Sequence, residues 1–277
     1  MIEKISGCKA ASAALAGLML LPFPALAQER GAKDGWAFTV TAGLLAAPNF
    51  FGDDDYQVVA IPSISATYGE RFAISFQGIS YDFVSSGPLT IGGRLSYDGG
   101  RDQDLDNSFF NIWDSGSDDL AGLGDVDDTI ELGGYIGYDW QRYEAKLDLR
   151  HAVNGGHDGL RGTAEFKAKG RTTAFGKPLF FTIGPEISFG DDNYNSAYFD
   201  VTAAQSLASG ISPFDAGGGI NAIGIHAGTM TPLTERVSLI GFFGYDRLTG
   251  DVASSSIVSE RGSEHQGTAG MFISYSF

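Results

Sequence analysis

Thr268-Ala269-Gly270-Met271-Phe272-Ile273-Ser274-Tyr275-Ser276-Phe277 is the stretch that decides the fold. Met271, Ile273, Tyr275 and Phe277 recur at every second residue, the spacing that sends side chains to one face of a strand. A polar residue, a glycine two on, an apolar residue three later and an aromatic two after that is the signal barrel-assembly machinery reads on a last strand. Thr268, Gly270, Ile273 and Tyr275 fit it, and the pattern continues to Phe277. A half-apolar strand of this kind can pair with the first strand of its own sheet and so remove both edges. The expectation is an all-β fold, an antiparallel up-and-down barrel.

The same alternation runs back along the chain in segments near the 9–11 residues that a tilted membrane strand needs. Trp36, Phe38, Val40, Ala42 and Leu44 open it, and residues 56–68 follow. Phe72, Ile74 and Phe76 face one way, then Ile79, Tyr81 and Phe83 continue one residue out of step, which predicts a bulge near Gly78. Further segments lie at 89–97, 130–138, 143–153, 160–168, 179–189, 197–203, 218–230, 237–247 and 268–277. That makes about twelve strands, with ten the alternative, and no segment reads as an amphipathic helix. Aromatics at segment ends (Trp36, Tyr56, Tyr68, Phe72, Tyr97, Tyr138, Tyr143, Phe189) suit girdles at two membrane interfaces. Counted back from a periplasmic C-terminus, twelve such strands put the long stretch 99–127 on the periplasmic side, against the usual habit of short periplasmic turns.

The chain divides into residues 1–27, a short lead at 28–35, and the barrel at 36–277. Lys4 and Lys9 precede a short apolar run closed by Pro22 and Pro24. Ala25-Leu26-Ala27 then offers the small-x-small site of a signal peptidase, so cleavage is expected after Ala27 with Gln28 first in the mature chain. The single cysteine, Cys8, falls within the removed segment. A formal net charge of −16 argues against nucleic acid as a partner. With no apolar helix of spanning length after the signal, a membrane protein of this sequence must cross by strands.

Several turns and loops carry a family likeness. They include Gly52-Asp53-Asp54-Asp55-Tyr56, Ile61-Pro62, Tyr68-Gly69-Glu70-Arg71, Gly122-Leu123-Gly124-Asp125-Val126-Asp127 and Gly155-Gly156-His157-Asp158-Gly159. Asp191-Asp192-Asn193-Tyr194, Ala203-Ala204-Gln205-Ser206 and Arg261-Gly262-Ser263 follow in order. The chain resembles the MipA/OmpV family, the MltA-interacting proteins of the outer membrane of Gram-negative bacteria, over nearly its whole mature length. The resemblance implies an outer-membrane barrel acting as a non-enzymatic scaffold that links a murein hydrolase to a murein synthase. Partners expected on that reading are periplasmic murein enzymes, the barrel-assembly machinery, and outer-membrane lipid with lipopolysaccharide. The family supplies no catalytic residues to carry over. The stretch 106–119 departs from it, being longer and carrying Phe109, Phe110, Ile112 and Trp113, which either plug the barrel mouth or form a contact patch. Folding back over the mouth is the preferred reading.

No catalytic, cofactor-binding or metal motif stands out. Asp102-x-Asp104-x-Asp106 begins like a calcium loop, but Asn107 and Trp113 replace the required Gly and Glu. That run, Asp53–Asp55 and Asp125/Asp127/Asp128 read as solvated turns, with loose divalent-cation binding as the alternative. His151, His157, His226 and His265 have no metal-ligand spacing, and Pro62 and Pro185 read as bulges or strand ends. Alternating Glu144, Lys146, Asp148, Arg150, Glu165 and Lys167 would line a lumen, which keeps a small ion or solute pore as the alternative function. A lipid hydrolase is the third.

Overall fold

The computed structural model describes residues 35–104, 111–114 and 117–277. Thirteen strands form one sheet: β1 (Trp36–Pro48), β2 (Tyr56–Tyr68), β3 (Phe72–Ser75), β4 (Gly78–Ser86), β5 (Leu89–Asp98), β6 (Asn111–Asp114), β7 (Thr129–Asp139), β8 (Tyr143–Asn154), β9 (Leu160–Ala174), β10 (Lys177–Gly190), β11 (Gly219–Pro232), β12 (Val237–Leu248) and β13 (His265–Ser276). Each strand pairs antiparallel with the next, except that β5 pairs with β7 and β6 lies against β2. The last strand closes on the first, from Thr39↔Ser276 to Ala46↔Ala269. Twelve strands therefore make a closed barrel, and β6 is an addition at its rim.

Alternation sorts the two faces. Phe38, Val40, Leu44, Ile64, Met271 and Ile273 point outward and are exposed, as side chains meant for hydrocarbon must be. Their neighbours Thr39, Thr41, Leu45, Ser274 and Phe272 turn inward. Trp36 meets Tyr68 and Phe72, Tyr138 meets Trp140, and Tyr143 stacks on Phe166, all outside the wall at one end.

Two sequence expectations change together. The one-residue slip after Phe76 is a hairpin rather than a bulge: Ser75 pairs with Gly78 across a two-residue turn, Ile74 with Ile79 and Phe72 with Tyr81. Such a hairpin joins an even residue to an odd one, which is why the apolar parity flips there. The bulge of this region sits instead between Asp82 and Val84. Residues 197–203, read as a strand, hold the end of one helix, α1 (Asp192–Phe199), a link in which Val201 bridges Phe214, and the first residue of another, α2 (Ala203–Ser209). Local chemistry explains them: Asp191 caps α1, and Thr202 with Gln205 forms a capping box on α2. One strand is gained and one lost, so the count of twelve stands.

With the hairpin counted, every short turn except Phe76–Gln77 within it lies at the end holding Trp36 and Ser276, and every long connection lies at the other. The stretch 99–128 joins the loop end, contrary to the sequence expectation, and normal barrel sidedness is restored. Five connections meet there: 49–55, 99–128, 155–159, 191–218, and 249–264 with α3 (Gly250–Ser254) and α4 (Ser256–Arg261). They pack as a cap. Phe50, Leu120, Leu123, Val201, Ile211 and Ile257 form one buried cluster, and Phe199, Ala216, Leu248, Val252 and Val258 a second. Burying this much apolar surface holds the cap as a folded layer.

The prolines also depart from expectation. Pro62 sits mid-strand opposite Ala42 with no register shift. Among the described residues, 60–65 have no strand partner on the side away from β1, so its missing N–H costs no ladder bond there. Pro185 interrupts the β9–β10 ladder, which skips from Ile183↔Ala168 to Glu186↔Glu165.

Candidate functional site

The inner wall has two characters. On β13, β1, β2 and β12 it is apolar: Leu45, Ala47, Val59 and Phe272 pack with Ile61, Ile240 and Phe242. From β4 through β9, and again on β11 and β12, it is charged. Glu144, Lys146, Asp148, Arg150, Glu165 and Lys167 all turn inward, as the alternation of β8 and β9 requires.

These charges pair with one another. Arg94 reaches Asp148 at 3.2 Å and Arg150 reaches it at 2.8 Å. Lys167 pairs with Glu165, and His226 meets Asp246 at 3.0 Å. The Tyr135 hydroxyl donates to Asp82, with Arg94 and Lys146 over its ring. Buried charges persist only when paired and hydrogen bonded, and most of the wall meets that demand internally, while Arg94 Nε and Glu165 Oε1 are buried without a hydrogen-bond partner.

The network is densest beneath the cap. Glu131 is fully buried and accepts two bonds from Arg161, at 2.6 and 2.8 Å, and one from the Ser96 hydroxyl at 3.2 Å. Arg161 also pairs with Asp98 at 3.0 Å and lies over the Tyr194 ring. Asp98 in turn accepts from the Tyr198 hydroxyl at 2.9 Å. Tyr194 and Tyr198 sit on α1, so wall charges on β5, β7 and β9 fasten the cap to the barrel. Burial, followed by the Asp98 charge, pushes the Tyr198 phenol up, and burial sets Tyr194 at about 12. His157 packs edge-on against Tyr194. Its Nδ1 accepts from the Gly159 N–H, which leaves the proton on Nε2, 3.7 Å from Glu131. Burial lowers its pKa while Asp98 and Glu131 oppose.

Asp98, Glu131 and His157 come close enough to share a metal. Arg161 already occupies the place a cation would take, bonded to both carboxylates. A cavity of about 30 Å³ beside them, lined by Phe50, Asp98, Arg101 and Tyr198, has room for a water rather than a substrate. Burial lowers the Arg101 guanidinium to about 10, and it donates to the Tyr198 carbonyl. Asp53, Asp54, Asp55 and Asp119 make a second close group, on the outside of the cap.

The residues singled out in the sequence scatter. Ala25, Ala27, Gln28, Phe109 and Phe110 lie outside the described residues. Ile112 and Trp113 stand on β6 against the upper part of β2, 61% and 56% exposed. Thr268 and Gly270 face the lumen, while Ile273, Tyr275 and Phe277 face outward. A Cβ on Gly270 would come within 2.2 Å of the Phe242 ring, so the glycine makes room for the Phe242–Phe272 stack. Asp102 and Asp125 accept backbone N–H groups of Asp104 and Gln103, as turn aspartates do. Glu131, Asp98 and Arg101 were missed. Glu131 did have a signal, an acid between Ile130 and Leu132 in an alternating strand.

Residues 40–277 match the family model described as MltA-interacting protein MipA. No curated protein matches the chain. Among solved structures, OprD from Pseudomonas aeruginosa is similar at 10% identity, over 80% of this chain and 58% of that chain, with a TM-score of 0.35. OprB of Pseudomonas putida is similar at 12% identity, over 80% and 59%, with a TM-score of 0.37. The CymD monoaromatic hydrocarbon channel is similar at 12% identity, over 98% and 96%, with a TM-score of 0.38. This chain thus spans under three fifths of the OprD and OprB chains.

Proposed function

Because the chain belongs to the family of MltA-interacting proteins, we propose that this outer-membrane barrel is a non-enzymatic scaffold whose turn end holds murein enzymes in the periplasm. The observation that carries the reading is the packed cap. Loops with two apolar clusters cover the outer end, and the wall charges beneath are paired. Recognition is then left to the short turns.

One of these is built for contact. Phe175, in the β9–β10 turn, is fully exposed and holds a left-handed backbone at φ 53°, followed by Gly176 at φ 74°. Two-residue hairpin turns want positive φ at both positions and take Asn, Asp or Gly for it. A bulky aromatic there is strained, and none of the described residues covers the ring. A partner pocket receiving Phe175 would offset the strain.

The test is affinity recovery of murein enzymes from detergent extracts with the wild-type barrel and with Phe175→Asn, which relaxes the turn and removes the ring. The expected result is capture by the wild type and at least about tenfold less by the variant, at equal or greater barrel stability. Repeated clean negatives with the wild type would end the scaffold reading. The terminal strand, with Thr268, Gly270, Ile273, Tyr275 and Phe277, is proposed as the assembly signal.

The charged wall favours a second reading, a small ion or solute pore. It requires the cap to open, because the cap spans the loop end.

A further inference from the structure

The second acidic group is joined from two loops. Asp53, Asp54 and Asp55 lie on 49–55, and Asp119 lies on 99–128, more than sixty residues away in the chain. Each offers a carboxylate oxygen, and these oxygens lie within 4.8 Å of one another. Acidic clusters are common on solvated loops, but Asp53 is different. Its side chain is fully buried, Oδ1 accepts only the Asp55 N–H at 3.2 Å, and Oδ2 is buried without a hydrogen-bond partner. The main chain leaves it no route out. Its N–H bonds Phe50 O, its carbonyl takes Gln266 Nε2 at 3.0 Å, and it bridges to Gly262. The Asn49 amide beside it is 1% exposed; its nearness favours the Asp53 carboxylate, but neither of its side-chain polar atoms reaches a partner in hydrogen-bond geometry.

A buried carboxylate oxygen with no partner costs free energy that a fold ordinarily avoids. Three further carboxylates converge on it. The cation beside them, Arg261, uses two of its nitrogens on the carbonyls of Asp119 and Ser209. The donor set is oxygen alone, which selects hard cations and not zinc or copper. Oxygens that all touch one ion at about 2.4 Å, the Ca²⁺ distance, must lie no more than about 4.8 Å apart, and these four meet that condition. Mg²⁺ prefers about 2.1 Å, retains its waters and takes one or two carboxylates. Asp54 is exposed, so an ion has an entry path.

We infer that Asp53, Asp54, Asp55 and Asp119 form a Ca²⁺ site that clamps the first outer loop to the second. Because Asp53 also bridges Gly262 in the last loop, the ion ties three of the five cap segments together. The inference stands apart from the scaffold reading, since it concerns the outer end alone.

The test is calorimetric titration of CaCl₂ into the folded, chelator-stripped barrel in lipopolysaccharide-free detergent at pH 7.5, with MgCl₂ as comparison. Expected is one Ca²⁺ per chain with a dissociation constant of about 10⁻⁴ to 10⁻³ M, the range of extracellular sites, and at least about tenfold weaker Mg²⁺. Asp119→Asn and Asp54→Asn each weaken Ca²⁺ about tenfold or more, whereas Asp102→Asn leaves it unchanged. Heat-dependent gel mobility shows that each variant still folds. No saturable Ca²⁺ binding by the wild type, or binding unchanged in folded Asp119→Asn, overturns the site.

Discussion

Replacing Glu131 by Gln keeps the shape of the side chain and removes the charge at the centre of the wall network. Arg161 then loses its partner at 2.6 and 2.8 Å, and Arg150 loses a carboxylate at 4.0 Å, all with side chains at most 10% exposed. Breaking a buried pair from one side costs about 3–5 kcal/mol, because a charge is left uncompensated. Asp98 still holds Arg161 at 3.0 Å and offsets part of that. The expected loss is therefore near the lower end, about 3 kcal/mol. In urea unfolding of the refolded barrel, followed by tryptophan emission from Trp36, Trp113 and Trp140, this moves the midpoint down by about 1–2 M. Adding Arg161→Met to Glu131→Gln should cost stability again, since Asp98 then loses the guanidinium that it holds at 3.0 Å. A loss below about 1 kcal/mol for Glu131→Gln, or a double variant as stable as the single one, would refute a network that depends on mutual charge pairing.

Gly270→Val should lower folding yield and cost about 1–3 kcal/mol, because the new side chain enters the space of the Phe242 ring. Phe242→Ala added to it should restore yield, measured by heat-dependent gel mobility. The Asp53 carboxyl stands at about 7, raised from 3.8 chiefly by burial and further by Asp119 and Asp55, with the Asp55 N–H and Asn49 opposing. Its folded value is above its unfolded one, so its contribution to stability is full below about pH 4 and is lost as pH rises through about 7. Cap stability without divalent ions should accordingly fall between about pH 4 and 7 and level off above, by hydrogen exchange of residues 49–55. With Ca²⁺ present the slope should flatten, since the ion replaces the proton, and apparent Ca²⁺ affinity should rise over the same interval.

Much of the barrel could be read from side-chain alternation, because a wall with hydrocarbon outside and a packed lumen inside imposes period 2 on every strand. Trp36 through Leu44 and Met271 through Phe277 marked both closing strands, while their register, Thr39 opposite Ser276, came only with the structure. The hairpin at Ser75–Gly78 was hidden by its own brevity: a two-residue turn looks like a bulge until cross-strand pairs are known. Residues 197–203 misled because an eight-residue helix and a strand segment share the same short apolar content, and the Asp191 and Thr202 caps carried the better signal. The inward charges of β8 and β9 were legible as alternation. Their partners were not, since Arg161 finds Glu131 and Asp98 only when four strands are laid side by side. Asp53–Asp55 looked like a solvated turn because its burial depends on Asp119, Gly262 and Gln266, all remote in sequence.

The central claim is that the loop end is sealed by a folded cap over a wall of mutually paired charges. Single-channel recording of the purified barrel in a planar bilayer tests it most directly. The account predicts a silent membrane at neutral pH. Regular, reproducible conductance steps from the unmodified protein, abolished by denaturing it, would contradict the account and move the function to a pore.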